Sequence, residues 1–274
     1  MNSNLYIVGT IHTDLLGPQR LEKFLESVQP AHVLAEAHEN RLKLYEEELK
    51  KDRETKVYTI IDRIYHDYGI LMKDEQMENL QLIYNRFLES YNFEYSASKK
   101  YTEENKVNFT LMDLPVINSI HDGNFMNELL LSENSEKNDK KAIKTVLDVL
   151  GKNPELFVQY INQETQERYE TSITECSKIN SRINLLRKIR KWVPRFFLAD
   201  WADKIDVILN ICDPRRDQYM AQCIRTVFEA EKPKTVAVCG LYHMYRLEDL
   251  LQDLHPTTTP LNRAEELTQT LPHL

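Results

Sequence analysis

The chain has 274 residues, with 35 Lys and Arg against 43 Asp and Glu and a formal net charge of −8. That acidic balance argues against a protein whose main task is binding nucleic acid, because counterion release needs clustered positive charge. Apolar residues at 42% and charged residues at 28% fit a globule with a full core and exclude a disordered chain, and only 6 glycines speak against an all-β fold of many tight turns.

No apolar run reaches the ~20 residues that a membrane helix needs, and the start MNSNLYIVGTIHTD lacks the basic and apolar regions of a signal peptide. A cytoplasmic protein with no transmembrane segment is the expectation. Cys176, Cys212, Cys223 and Cys239 form no CxxC pair and read as reduced thiols.

Residues 5–9, LYIVG, are a short apolar run that predicts a first strand. Pro18 then opens a helical pattern with Leu21, Phe24, Leu25 and Val28 on one face. After Pro30, AHVLAEA predicts a second strand, so the first stretch reads as a βαβ unit with parallel strands. From Glu39 to about Tyr91 three segments carry apolar residues at helical spacing, with Gly69 separating two of them. VNFTLM (107–112) predicts a third strand running into Asp113. Helical patterns then occupy most of 114–131, 142–192 and 202–229, the last around Pro214. KTVAVC (234–239) predicts a late strand closed by Gly240, and HMYRLEDLLQDL a helix after it. The expected architecture is a single α/β domain over 1–274, a mostly parallel central sheet with helical insertions at about 39–100 and 120–230.

In open parallel sheets, ligands bind beyond the carboxyl ends of the strands. Each predicted strand delivers a chemically useful side chain there: His12, Glu36, Asp113 and His243. GTIH and GLYH are one pattern, Gly-x-x-His, placed after strands from opposite ends of the chain. Glycine lets the backbone turn off the strand end, and the histidine can point back over the sheet edge. Two neutral imidazoles and a carboxylate make a first shell for Zn²⁺, Mn²⁺ or another divalent metal such as Co²⁺, so His12, Glu36 and His243 are the candidate ligands. Two other readings stand beside it. One is a metal-free esterase in which a histidine activates water and Glu36 fixes its tautomer. The other is a non-catalytic protein that binds and sequesters a peptide signal or a haem-like ligand.

With their neighbours, these residues resemble the TraB/PrgY family, and more distantly the Tiki proteases and the erythromycin-esterase and ChaN-like proteins. GTIH followed by PAHVLAEAHENR resembles the family's first histidine, glutamate and arginine positions, here His12, Glu36 and Arg41. RRDQYMA resembles a second block, mapping Arg216, Asp217, Met220 and Ala221, although Arg215 stands where the family carries glutamate. VAVCGLYH resembles the late strand and its histidine, His243, and VNFTLMD sits where a strand ends in aspartate, Asp113. The resemblance implies a Tiki- or erythromycin-esterase-like fold and a hydrolase of peptide, amide or ester bonds assisted by a divalent metal. Arg41 and Arg216 would orient carboxylates or an oxyanion, and Asp113 would orient a ligand or act as general base. The expected partner is a peptide or small-molecule substrate, with a homodimer open and no nucleic acid. The basic stretch 182–195 reads as a solvated face or a site for an anionic ligand, lipid headgroups or nucleic acid, and the segment holding Trp192 and Trp201 as core packing or a partner or dimer surface.

Overall fold

The computed structural model describes residues 4–12, 14–40, 42–43, 53–90, 92–114, 140–159, 161–172 and 213–269. Five strands, β1 (Leu5–Thr10), β2 (His32–Ala35), β3 (Asn108–Leu111), β4 (Thr235–Gly240) and β5 (Thr257–Pro260), form one sheet in the order β3-β2-β4-β1-β5. Every pairing is parallel, with Leu5 opposite Thr235, His32 opposite both Thr235 and Asn108, and Tyr6 opposite Thr257. The α/β fold with a parallel sheet and inserted helices is therefore as expected. β1 and β4 are buried along their whole length. Central parallel strands are covered on both faces, so they appear in sequence as continuous apolar runs.

The register is what builds the site. β4 enters from the far end of the chain and inserts between β1 and β2. The carboxyl ends of the first, second and last apolar runs thus become neighbours at one edge.

The helix α1 (Gly17–Val28) opens with Pro18 in its first turn and buries Leu21, Phe24, Leu25 and Val28. It ends where Gln29 takes a left-handed conformation and its N–H returns to Leu25 O. Its first residue lies against α4 (Phe93–Asn105): a Cβ on Gly17 would fall 2.5 and 2.8 Å from Cε1 and Cε2 of Phe93. Phe93 is fully buried and has no room to retreat. Gly17→Ala is expected to cost about 1–3 kcal/mol by overpacking, read as a lower urea midpoint with an unchanged slope.

The remaining helices are α2 (Arg53–Tyr68), α3 (Asp74–Ser90), α5 (Lys140–Lys152), α6 (Pro214–Glu231), α7 (Leu241–Leu250) and α8 (Ala264–Gln269), with further helical turns at 154–159 and 161–172. Val57, Ile64, Leu80, Ile83, Leu147, Leu150, Phe157 and Ile161 form a second apolar cluster apart from the core around the sheet. The described part of this helical layer falls within the expected insertions, of which 120–139 and 173–212 lie outside the described residues, and two differences stand. The sheet core takes α4, which packs on α1 and β2, so the first inserted helical block ends near Ser90. It also takes Tyr169 from the helical turns at 161–172 and Met220, Ile224 and Phe228 from α6. β5 lies outside the predicted strands. Its sequence is Thr-Thr-Thr-Pro, with no apolar run to announce it, and its proline is tolerated because it sits at a sheet edge. Among the described residues no helix is long and apolar enough to cross a membrane.

Candidate functional site

Each strand hands its next residues to the carboxyl edge by a different local device. After β1 the chain makes a turn in which the Asp14 N–H donates to Ile11 O at 2.9 Å, and His12 sits inside that turn. After β2, the Glu36 N–H donates to Val238 O at 2.9 Å, which holds Glu36 beside β4. After β3, the Asp113 N–H donates to Ala37 O at 3.3 Å. β4 runs into α7 with no intervening loop, through Gly240, so His243 lies in the first turn of that helix.

Three of these side chains, Glu36, Asp113 and His243, join a buried ion network with Arg216 at its centre. Arg216 comes from the first turn of α6, which Asp213 caps by accepting the Arg215 N–H. Arg216 donates from Nε to Asp113 Oδ1 at 2.9 Å and from Nη2 to Asp113 Oδ2 at 2.7 Å, a bidentate pair. Nη2 also reaches Glu36 Oε1 at 2.7 Å. The other oxygen of Glu36, Oε2, accepts the Gly240 N–H at 2.6 Å. His243 Nε2 stands 3.5 Å from Glu36 Oε1. Burial alone would lower the Arg216 pKa, but hydrogen bonds to Asp113 and the charge of Glu36 raise it instead, so the guanidinium is locked in its charged form.

Two carboxylates outside this network hold the two histidines. His12 Nδ1 lies 2.7 Å from Glu94 Oε1, and the Thr10 hydroxyl donates to the same oxygen at 2.6 Å. His243 Nδ1 lies 2.6 Å from Asp217 Oδ1. An ionised carboxylate only accepts, so each imidazole donates from Nδ1 and turns Nε2 away from its partner. Burial pushes Glu94 upward, yet the His12 charge and the hydrogen bonds from His12 and Thr10 outweigh it and hold the carboxyl below its ordinary range. The Nε2 of His12 looks toward the β4–α7 junction. A Cβ on Gly240 would fall 3.2 Å from that nitrogen and 3.4 Å from Glu36 Oε2. Glycine thus lets the imidazole and the glutamate come closer to the junction than a side chain would allow. The His12 side chain is 39% exposed, while those of Glu94, Glu36 and His243 are at most 3% exposed, so His12 is the histidine that solvent and ligand can reach.

The structure therefore gathers His12, Glu36, Asp113, Arg216 and His243 at one edge. Arg41 lies outside the described residues, as do 182–195, Trp192, Trp201, Cys176 and Cys212. Glu94 carried no sequence assignment, and Asp217 only a place in the resembling block. The buried face of α4 is Phe93, Glu94, Ala97, Ser98, Tyr101 and Thr102. The spacing is helical, but the residues are mostly small or polar, so a search for apolar periodicity passes over it. Asp217 was legible in principle, as the first-turn acid beside Arg216.

The metal expected on His12, Glu36 and His243 meets a different arrangement. Zinc ligands lie ~2.0–2.1 Å from the ion, so three ligand atoms must converge on one point. Among the described residues no three His, Cys, Asp or Glu side chains are grouped that way. Glu36 is already bound by Arg216 and the Gly240 N–H, and a dication against Glu36 would face the buried guanidinium. As arranged, these donors do not fit a three-ligand centre. Cys239, the last residue but one of β4, lies nearby, but burial and the charges of Glu36, Asp217 and Glu94 push its thiol well up, which disfavours a thiolate nucleophile. Comparison of the chain with protein-family models, with curated proteins and with solved structures returns no match.

Proposed function

We propose that this chain is a hydrolase of ester or amide bonds in which His12 activates water as general base. The observation that carries the reading is the Glu94–His12 pair, with Nδ1 on a buried carboxylate and Nε2 facing Gly240 at the strand–helix junction, beside Glu36. A carboxylate on Nδ1 fixes the tautomer and steadies the imidazolium that forms when Nε2 takes a proton. Glu36 holds the strand–helix junction through the Gly240 N–H, and Arg216 holds Glu36 and Asp113 in place. The resemblance of GTIH and GLYH to the TraB/PrgY and erythromycin-esterase motifs supports the same class. The substrate class is a peptide or a small ester or amide.

A metal-assisted form is the second reading. It is favoured by one feature: both His12 and His243 have a carboxylate on Nδ1, the usual partner of a metal-bound imidazole. It requires Arg216 to give up Glu36.

The test uses chelator-treated protein against a panel of p-nitrophenyl esters and fluorogenic peptides, with and without added Zn²⁺, Mn²⁺ or Co²⁺. Hydrolysis that survives chelation and disappears in His12→Ala is the expected result. Activity that returns only with metal favours the second reading. Equal rates in His12→Ala and wild type overturn His12 as the base, and no turnover of any substrate overturns the hydrolase and leaves the binding protein.

Gly240→Ala gives a narrower check. The backbone of Gly240, at φ −56° and ψ 145°, suits alanine, so the fold should survive. The added methyl enters the space between His12 Nε2 and Glu36. A loss of kcat/KM on the order of 10²-fold is expected, with an unfolding midpoint near that of wild type.

A further inference from the structure

The turn that carries His12 is held from behind by a single phenol. Tyr169 comes from the helical turns at 161–172 and is fully buried. Its hydroxyl accepts the Ile11 N–H at 3.1 Å and donates to Asp14 Oδ2 at 3.2 Å. Ile11 and Asp14 are the two ends of the turn, joined to each other by the Asp14 N–H to Ile11 O bond. One oxygen atom thus bridges both ends of the turn in which His12 sits.

The other contacts of Asp14 extend the clamp. Its Oδ1 accepts the Leu16 N–H at 2.9 Å, and its Oδ2 also takes Arg20 Nη1 at 2.8 Å. Leu15, in the same loop, packs against the apolar cluster of the helical layer. The loop between β1 and α1 is therefore held at two points by the inserted helices, through the phenol of Tyr169 and through the packing of Leu15.

We infer that Tyr169 is a positioning residue: it sets the place of the His12 turn, and through it the Glu94–His12 hydrogen bond, so that the helical layer controls the general base. This inference deepens the hydrolase reading and rests on it for the catalytic consequence, but the geometric claim stands separately. Nothing else among the described residues reaches both Ile11 N and Asp14 Oδ2. A phenol does so only while protonated, since it must donate to Asp14 as it accepts from Ile11. Burial, with the nearby charges of Asp14 and Glu94, pushes the Tyr169 hydroxyl well above its ordinary value, which keeps that proton on.

Tyr169→Phe keeps the ring and removes the bridge. Tyr101→Phe is the control, a phenol buried in the same sheet core with no part in the turn. The first readout is independent of activity. In protein labelled with ¹⁵N-histidine, the Nδ1–H signal of His12, assigned by its absence in His12→Gln, reports the hydrogen bond to Glu94. In Tyr169→Phe that signal is expected to shift or broaden away, and carbethoxylation of His12 to quicken several-fold. Tyr101→Phe should match wild type in both. Asp14→Asn, which weakens the other end of the clamp, should shift the signal in the same direction and carries the test if Tyr169→Phe does not fold.

The second readout is the rate on whichever ester wild type hydrolyses. A tenfold or larger fall in kcat with KM within twofold is expected for Tyr169→Phe. A His12 signal and reactivity unchanged in both Tyr169→Phe and Asp14→Asn overturn the inference. A changed signal in a protein that hydrolyses nothing upholds the positioning role while the hydrolase reading fails.

Discussion

Arg216→Ala is expected to destabilise the protein by about 3–5 kcal/mol, the usual cost of removing one partner of a buried ion network. Arg216 is 7% exposed and Glu36 and Asp113 are 5% and 3% exposed. The substitution leaves two carboxylates out of water with no counter-charge, and that desolvation penalty sets the size of the loss. Arg225 offers the contrast. It also makes a bidentate pair, donating to both oxygens of Asp253 at 2.7 and 2.8 Å, but on the surface. Exposed pairs contribute about 0–1 kcal/mol, so Arg225→Ala should shift the urea midpoint little. Replacing Arg216, Glu36 and Asp113 together by Met, Gln and Asn should recover much of the stability lost in Arg216→Ala, because no charge is then stranded. Arg216→Lys should fall between, since an ammonium cannot make the bidentate pair with Asp113 and still reach Glu36. Similar losses for Arg216→Ala and Arg225→Ala would mean that the buried network does not hold the sheet edge.

Glu94→Gln separates the histidine's partner from the histidine itself. Loss of the charge lets the His12 ring adopt either tautomer and removes the support for its protonated form. A fall in kcat of about 10²–10⁴-fold is expected, the range of a lost general base. The same variant has a signature in stability. The folded pKa of Glu94 is held below its ordinary value of 4.5, so in the native state the ionised form is favoured. Such a group adds stability above its unfolded pKa and loses it as pH falls through the lower folded value. The stability difference between wild type and Glu94→Gln should therefore be full above pH 4.5 and shrink on acidification below it. A difference that stays flat down to acid pH would remove Glu94 from the ionised pair with His12.

Much of this molecule is local, and what is local was legible. LYIVG, HVLA and TVAVCG declare themselves as strands because central parallel strands are buried on both faces and must be apolar throughout. The residues after them, His12, Glu36, Asp113 and His243, are legible for a related reason: in a parallel sheet all strand ends point the same way. Direction alone brings them to one edge, and no distances are needed. What sequence could not decide is which of those groups touch. Arg216 meets Glu36 across 180 residues and Asp113 across 103, and nothing in local spacing says that a guanidinium is their common partner. Glu94 is hidden for a second reason, since its helix buries Glu94, Ser98 and Thr102 beside Phe93, Ala97 and Tyr101, which blurs the apolar stripe. The strand order, with β4 inserted between β1 and β2, is set by how helices and strands from both ends of the chain bury one another. That packing alone gives His12 a carboxylate on Nδ1 and sets its Nε2 against the β4–α7 junction. Burial and pairing are properties of the assembled core, not of the segments that enter it.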